Sequence, residues 1–368
     1  MNILFISHEA SYTGASLYLL SLVKELYERN SVGQMAILLL KDGPIAPELK
    51  KYANIYILEW NRQFDKWHLL PNKIGDVLRI LEYKAFLNKN SWDIIYANTI
   101  ISLHKAVEIK QKLRIPLVLH AHESEMLCSR LLTNTEDLNE CNKIIAVSST
   151  VVRAILSYGF DKNKISIVPP FSQHLSSEEC FRCSIKDNST FIVGLSGSGC
   201  DTKGTDLLPI LVHKFFCKYP EADCLFVWVG KSKGSYVSYD AKRLLVEDKI
   251  HLIGEVSNPL DYYKYFDVFL LLSREDSFPL VCMETSALAI PTILFDNASG
   301  ITDMIKHNEN GIVVPYLDLD NMADAIYNLY TNPSSRLKLG KKAQDIVLSC
   351  YRKEQSLSKI ISEIKSIV

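Results

Sequence analysis

The chain has 368 residues, more than one hydrophobic core usually supports, and this length favours two domains. A hydrophobic content of 48% and a charged content of 23% are typical of a soluble globular protein. The 41 basic and 42 acidic side chains leave a net charge of -1, which excludes a chain-wide field that would attract nucleic acid or an anionic membrane.

The first residues and the cysteines predict the cellular location of the protein. The start, MNILFISHEA, has no charged segment or cleavage site and is typical of a buried strand rather than a signal peptide. No apolar run reaches the ~18–20 residues that cross a bilayer. The nine cysteines include one C-x-x-C pair, Cys180 and Cys183, without further ligands for zinc. We therefore expect reduced thiols, no metal site and a cytoplasmic location.

Short apolar runs alternate with helical patterns along the whole chain. The runs that predict strands in the first half are residues 2–7, 34–40, 54–60, 93–98, 116–121, 143–148 and 164–169. Those of the second half are 191–197, 224–230, 249–254, 267–273, 291–295 and 311–316, and the end of the chain is helical. Because parallel strands need crossover helices, this alternation predicts two parallel sheets, each covered on both faces.

A polar, aperiodic segment at residues 171–190 interrupts the pattern and is interpreted as a linker. The predicted fold class is therefore α/β, with two doubly wound parallel-sheet domains facing a central cleft. Ligands of open parallel sheets bind at the carboxyl ends of the strands. The loops between strands and helices are thus the places to look for a site.

The first such loop of the second domain, GLSGSGCDTKGTDLLPIL, is rich in glycine and serine and carries one cation, Lys203. It fits neither the dinucleotide motif, because Thr202 replaces a small residue, nor the P-loop, because Cys200 replaces the lysine. Free backbone N–H groups, a helix dipole and an ammonium could bind a diphosphate. A surface turn with a solvated lysine explains this loop equally well.

Two loops of the first domain carry similar signals. Gly14, in SYTGASLYLL, lets a ligand approach the backbone, although an ordinary helix cap by Thr13 or Ser16 also fits. In LVLHAHESE, strand alternation puts His120 and His122 on the same side. A third metal ligand at suitable spacing is missing, which favours hydrogen bonding to a sugar or phosphate. A buried structural role is also open for His120.

The segment 273–294, SREDSFPLVCMETSALAIPTIL, places carboxylates before and inside an apolar helix. Pro279 suits the first helical position, where its missing N–H costs nothing. The N–H groups of Leu280 and Val281 would then point out of the helix start toward a phosphate. Glu284, one turn further on the same face, could accept both hydroxyls of a ribose attached to that phosphate.

Asp276 precedes this helix and could accept hydrogen bonds from the hydroxyls of a second sugar. An anion so close to phosphates needs balancing cations, and Arg274 and Lys203 are the available ones. Taken alone, Asp276 is better explained as a helix cap, but the combined spacings favour a binding role.

Several segments, in the same order along the chain, now resemble one family, the retaining glycosyltransferases of family four with the GT-B fold. They are CNKIIAVSSTVVRAILSYGFDKNKISIVPP, KGTDLLP, VWVG, HLIGEV and YYKYFDVFLLLSRED. Asp276 and Glu284, with seven residues between them, resemble the family's E-x7-E segment, whose first acid is often Asp within a RED-x-FPLV run. Glu275 is then a bystander; in the alternative register it is the active acid.

The resemblance implies transfer of a sugar from a nucleotide-diphosphate sugar to an acceptor, with retained anomeric configuration. The donor is a co-substrate, and neither a cofactor nor a metal is implied. Together with the linker, the resemblance implies Rossmann-like domains at 1–171 and 190–350. It also implies a final helix, 351–368, that crosses back to the first domain.

Carried over residue by residue, the resemblance implies catalytic residues Asp276 and His122 and donor-binding residues Gly14, Ser198, Lys203, Val256, Arg274, Phe278, Leu280, Val281 and Glu284. Lys203 pairs with the diphosphate, Glu284 holds the ribose and Asp276 binds the sugar hydroxyls. Val256 lies by the base, and His122 approaches the donor sugar from the first domain. The leaving phosphate itself takes the proton of the acceptor.

One departure from the family concerns Ser198, which stands where an arginine usually precedes the motif lysine by five residues. One diphosphate cation is therefore missing, and Arg274 or Lys231 is expected to replace it.

The expected acceptor is a glycan or a lipid-linked oligosaccharide. The segment 61–75, NRQFDKWHLLPNKIG, mixes aromatic and basic residues and suits a peripheral contact with the inner face of a membrane, although a packed loop fits equally well. Nucleic acid is not an expected partner. The alternative functions are a nucleotide-sugar epimerase or a sugar phosphorylase on the same frame, or a non-catalytic two-domain binding protein.

Overall fold

A computed structural model describes residues 1–59, 72–88, 91–132, 134–172, 190–231 and 234–368. The chain forms two compact units. The first unit comprises Met1–Val147, Val151–Val168 and Leu357–Val368, and the second comprises Ser148–Thr150 and Pro169–Ser356. Most of the predicted linker, the C-x-x-C pair and most of the aromatic and basic segment 61–75 lie outside the described residues.

The first unit is built on a seven-stranded sheet whose paired strands all run parallel. Its strands are β1 (Ile3–Ser7), β2 (Met35–Lys41), β3 (Asn54–Glu59), β4 (Ile94–Ala97), β5 (Leu117–Ala121), β6 (Lys143–Ala146) and β7 (Ile165–Ile167). Its helices are α1 (Gly14–Glu28), α2 (Ala46–Leu49), α3 (Asn72–Asn88), α4 (Leu103–Leu113), α5 (Glu125–Leu131), α6 (Glu136–Asn139) and α7 (Ser149–Leu156), whose first two residues group with the second unit. All seven strands predicted for this half are confirmed.

The second unit repeats this plan with six parallel strands. They are β8 (Phe191–Ser196), β9 (Cys224–Val229), β10 (Ile250–Gly254), β11 (Val268–Leu271), β12 (Thr292–Phe295) and β13 (Gly311–Val314). The helices are α8 (Leu207–Lys218), α9 (Gly234–Arg243), α10 (Leu260–Tyr263), α11 (Leu280–Ala287), α12 (Leu319–Thr331) and α13 (Pro333–Cys350). The six predicted strands of this half are confirmed as well.

Burial explains why the strands read as continuous apolar runs. All five residues of β1 and all four of β4 are buried, because helices cover the sheet on both faces. The second unit also has a buried core, in which Phe215 of α8 lies with Phe226 and Trp228 of β9. The chain thus forms the two Rossmann-like parallel-sheet domains predicted from its sequence.

The strand order defines one switch point in each sheet. In the first unit the order β3-β2-β1-β4-β5-β6-β7 reverses direction between β1 and β4. In the second unit the order β10-β9-β8-β11-β12-β13 reverses between β8 and β11. Loops that leave two such adjacent strands in opposite directions open a crevice at the carboxyl edge, which is where ligands bind in these folds.

The chain ends in two consecutive helices, α13 and α14 (Lys353–Lys365), as predicted. Leu357, Ile360 and Ile364 of α14 are buried, and Lys143 Nζ lies 2.8 Å from Glu363 Oε2 within the first unit. The chain passes from the first unit to the second after Val168 and returns to the first unit after Ser356. The boundaries predicted from the sequence are 171 and 350. Among the helices described, none is at once long and apolar enough to cross a membrane.

Candidate functional site

The switch point of the second unit brings Lys203 and Asp276 together. Lys203 lies in a short 3₁₀ turn after β8, and Asp276 lies in the loop that follows β11. The turn ends at Gly204, whose φ of 69° is left-handed and whose Cβ position would lie 2.0 Å from the carbonyl oxygen of Leu272. Glycine is therefore required there, because only its bare backbone lets the first loop pack against the end of β11.

Lys203 Nζ donates directly to Asp276 Oδ2. The lysine side chain is 34% exposed and the aspartate side chain only 10%. Burial lowers the pKa of Lys203, but the Asp276 carboxylate outweighs this and leaves the pKa above its ordinary value. The site thus holds a charged ammonium that already has one anionic partner and that keeps an open side.

Helix α11 begins one residue later than predicted. Pro279 has an extended ψ of 113° and is the N-cap rather than the first helical residue. Leu280 and Val281 occupy the first two helical positions, whose N–H groups have no acceptor within the helix. The two N–H groups predicted to bind an anion therefore still lie at the helix start, and Pro279 precedes the helix instead of beginning it.

Glu284 is the fifth of the eight residues of α11. Its Oε1 accepts a hydrogen bond of 2.8 Å from the hydroxyl of Ser172, just before the undescribed segment. Burial raises the pKa of the Cys282 thiol well above its usual value, and the charge of Asp276 adds to the rise. The thiol between the two acids is therefore protonated and is not a nucleophile.

The guanidinium of Arg274 is engaged by the loop that follows β8. Its Nη1 and Nη2 donate to the two carboxylate oxygens of Asp206 at 2.7 and 2.8 Å, and Nη1 also donates to the carbonyl oxygen of Asp201. The sequence alone could not show these partners, and the expectation that Arg274 serves as a diphosphate cation stays a prediction. The hydrogen bonds from Arg274 lower the pKa of Asp206, which keeps the pair charged.

The remaining predicted donor residues lie around the same edge of the sheet. Ser198 is exposed in the loop after β8, next to Gly199, whose N–H donates to the carbonyl of Lys231. Val256 follows β10 and is half-buried. The ring of Phe278 is buried and packs 6.0 Å from the ring of Tyr351, so only its backbone is available to a ligand.

In the first unit, Gly14 is the first residue of α1 and follows β1. Among the described residues, no atom lies within 4 Å of the position that a Cβ on Gly14 would take. The N-cap Thr13 makes no side-chain capping bond within the described part of the chain, so the ordinary cap considered from the sequence is not formed. The helix start is open to a ligand at this point.

His120 and His122 follow the prediction that they lie on one side of β5, because their ring centroids are 4.2 Å apart. His120 is fully buried, and its Nδ1 shares a hydrogen bond of 2.6 Å with the hydroxyl of Tyr96. The Nε2 atoms of both histidines are buried and have no hydrogen-bond partner among the described residues. Burial lowers the pKa of His122 to about 3 and that of His120 well below its usual value, so both imidazoles are neutral.

Glu123 fixes the loop that carries His122. Its Oε1 accepts the N–H of Ile100 at 2.9 Å, and its Oε2 accepts the N–H of His122 at 3.0 Å. The carboxylate thereby links the ends of β4 and β5 across the sheet. Burial nevertheless raises its pKa to about 7, despite these two bonds.

These buried groups predict opposing effects of pH on stability. Between pH 6.5 and about 3, unfolded His122 binds a proton that the folded chain does not, so acidification destabilises the fold by up to about 1.4 kcal/mol per pH unit. Folded Glu123 binds a proton between about 7 and 4.5 that the unfolded chain does not, so acidification stabilises the fold there. We expect the Tm of Glu123→Gln to fall more steeply than that of wild type as the pH is lowered from 7 to 5. Parallel Tm curves would contradict this.

Three residues of the site were not predicted. Asp206, Ser172 and Glu123 each hold a predicted residue or its loop through a hydrogen bond. The sequence could have indicated Asp206, because this acid belongs to the KGTD segment and lies near the motif lysine, where it can pair with an arginine. No signal in the sequence pointed to Ser172 or Glu123. The partner of Ser172 lies 112 residues further along the chain, and the partners of Glu123 are backbone groups.

Two family models match consecutive parts of the chain. Residues 12–171 match the family described as "Glycosyltransferase Family 4", and residues 181–346 match "Glycosyl transferases group 1".

Individual relatives are distant. A D-inositol 3-phosphate glycosyltransferase of Pseudarthrobacter chlorophenolicus is 23% identical over 277 residues, which cover 68% of this chain and 66% of the relative. The capsular polysaccharide biosynthesis glycosyltransferase CapM of Staphylococcus aureus is 25% identical over 207 residues, 54% of each chain. Among these and other curated relatives, the matched part covers between 11% and 72% of the length of the relative.

The crystal structure of HepE from Anabaena in complex with UDP-glucose resembles this chain with a TM-score of 0.79. The two sequences are 19% identical, and the match covers 100% of both chains. At this identity the likeness shows the shared two-domain fold.

Proposed function

The chain belongs to glycosyltransferase family 4, and we propose that it transfers a sugar from a nucleoside diphosphate sugar to an acceptor with retention of anomeric configuration. The observation that carries the proposal is the ion pair of Lys203 with Asp276 at the switch point, next to the start of α11. A cation and a helix N-terminus favour a diphosphate there, and a carboxylate beside them favours sugar hydroxyls.

The donor is held by groups with separate tasks. Lys203 and the N–H groups of Leu280 and Val281 bind the diphosphate, and Glu284 accepts the ribose hydroxyls in place of Ser172. Asp276 accepts hydroxyls of the donor sugar. Because UDP-glucose occupies the similar HepE structure, we propose a uridine diphosphate sugar as donor.

Catalysis then consists of stabilising the leaving diphosphate while the acceptor attacks the same face of the sugar. Bond cleavage moves negative charge onto the phosphate oxygen, where Lys203 stabilises it. That oxygen takes the acceptor's proton as the new glycosidic bond forms. His122, which burial keeps neutral, acts as an uncharged hydrogen-bonding group toward the donor sugar and not as an acid.

Binding of UDP is the first test. We expect UDP to raise Tm, with the same shift in the presence of a chelator, because Lys203 and a helix start need no bridging metal. Incubation with a panel of UDP-sugars should release UDP slowly through hydrolysis. A Tm shift that disappears in chelator would contradict metal independence. An epimerised sugar would favour an epimerase, consumption of phosphate would favour a phosphorylase, and binding without turnover would favour a non-catalytic binding protein.

We further propose a glycan or lipid-linked acceptor presented at a membrane. Val77, Ile80 and Leu81 of α3 follow helical spacing on one face and are 54–55% exposed. Lys84 lies exposed one turn further on, which suits an anionic lipid surface. In the sequence, α3 is preceded by further basic and aromatic residues.

Vesicle sedimentation tests this contact. We expect the protein to sediment with phosphatidylglycerol vesicles, less so with phosphatidylcholine alone, and Ile80→Ser with Leu81→Ser to reduce the bound fraction severalfold. Leu337→Ser is a matched control, since Leu337 is 68% exposed on α13 of the second unit. Equal sedimentation of all variants would contradict the contact, without bearing on UDP binding.

A further inference from the structure

Arg274 joins the two loops of the switch point through four hydrogen bonds. Its backbone N–H donates to the carbonyl of Thr202 at 2.8 Å, and its guanidinium donates to the carbonyl of Asp201 and to both carboxylate oxygens of Asp206. These three partners belong to the loop that carries Lys203. All the donors thus come from the β11 loop and all the acceptors from the β8 loop.

The geometry of this contact is specific. A planar guanidinium that meets a carboxylate with two parallel N–H bonds fixes orientation as well as distance. The Arg274 side chain is 30% exposed and the Asp206 side chain 42%, so the pair contributes little to overall stability. Its main consequence is local: it sets where the turn of residues 201–203 lies relative to Asp276.

The conformation of that turn decides where the ammonium of Lys203 points. Gly204 ends the turn in a left-handed conformation against Leu272, so the backbone is fixed on one side. Arg274 and Asp206 fix the other side. With both sides held, the Lys203 ammonium reaches Asp276 without having to order a free loop.

We propose that Arg274 is a positioning residue that acts through Asp206 on Lys203, and that it does not bind the donor diphosphate itself. Three of the five guanidinium N–H groups already donate to Asp206 and to the carbonyl of Asp201. The inference rests on the proposed function, because it concerns binding of a nucleoside diphosphate.

A double-mutant cycle on UDP affinity separates positioning from direct binding. We expect Arg274→Gln and Asp206→Asn each to weaken UDP binding about three- to tenfold, and the double variant to be no weaker than the worse single variant. A phosphate-binding Arg274 predicts the opposite pattern. Arg274→Gln would then weaken binding while Asp206→Asn, which frees the guanidinium, would leave binding unchanged or tighter.

Two further variants exclude a general loss of structure. Arg274→Lys keeps the charge but not the two-pronged contact, so it should match Arg274→Gln; wild-type affinity in this variant would overturn the proposal. In a Lys203→Ala background, Arg274→Gln should weaken UDP binding no further, because its effect passes through Lys203. A further tenfold loss there would assign Arg274 to the ligand.

The two hypotheses fail separately in this experiment. Wild-type protein that binds no UDP would overturn the proposed function. Wild-type protein that binds UDP while Arg274→Gln and Asp206→Asn bind equally well, with unchanged Tm, would overturn only the positioning role.

Discussion

Replacing Asp276 by asparagine is expected to lower sugar turnover by about 100-fold or more while UDP still binds. Asparagine keeps the size of the side chain but removes the charge that orients the sugar hydroxyls. It also removes the anionic partner of Lys203, whose ammonium then has only the diphosphate to neutralise. We therefore expect UDP affinity in this variant to equal or exceed that of wild type. UDP release from UDP-sugars and calorimetric UDP binding measure the two quantities.

The neighbouring acids are matched controls. Glu275→Gln should change turnover by no more than about 0.5 kcal/mol of activation free energy, the range of a surface substitution. Glu284→Gln should weaken binding of UDP itself, because its proposed partners are on the ribose. A large loss of turnover in Glu275→Gln with near-normal Asp276→Asn would favour the alternative register, in which eight residues separate the active acids.

The strands and their order of appearance were predictable because of how parallel sheets are covered. Helices on both faces require both sides of each strand to be apolar, which leaves continuous runs such as Ile3–Ser7 and Val268–Leu271. Such runs, separated by helical periodicity, specify a doubly wound sheet without any knowledge of side-chain contacts. The same reasoning directed attention to the loops at the carboxyl edges, where Ser198, Lys203 and Asp276 lie.

The pairing of charges within those loops was not predictable. Lys203 and Asp276 are 73 residues apart, and Arg274 and Asp206 are 68 apart, so nothing in local spacing tells which cation meets which acid. The choice depends on the turn at Gly204 and on the backbone bond from Arg274 to Thr202. Both follow from how the β8 loop packs against β11, which is a tertiary property.

The start of α11 shows a limit of a different kind. Proline is tolerated at the first helical position and also before it, since neither position needs its N–H. The extended ψ of Pro279 decides between the two, and it follows from the path of the preceding loop, where the N–H of Asp276 bonds to Ala298. Helix ends are therefore predicted to within a residue or two, although the N–H groups proposed to bind an anion remain the same.

Lys203→Ala is expected to weaken UDP binding by roughly 1.5–3 kcal/mol, the scale of a lost charge-assisted hydrogen bond, or about 10- to 150-fold. The absence of an arginine at Ser198, together with the engagement of Arg274 by Asp206, leaves Lys203 as the main cation proposed for the diphosphate. The substitution should also lower Tm, because the largely buried Asp276 carboxylate loses its partner.

A second substitution separates these two effects. Lys203→Ala combined with Asp276→Asn should recover much of the lost Tm, because no unpaired charge remains, but should not recover UDP affinity. Lys214→Ala serves as the control, since Lys214 lies on the adjacent α8 and pairs with Asp320 at the surface. It should leave both Tm and UDP affinity nearly unchanged. Wild-type UDP affinity in folded Lys203→Ala, or a loss in Lys214→Ala of equal size, would remove Lys203 from the diphosphate site.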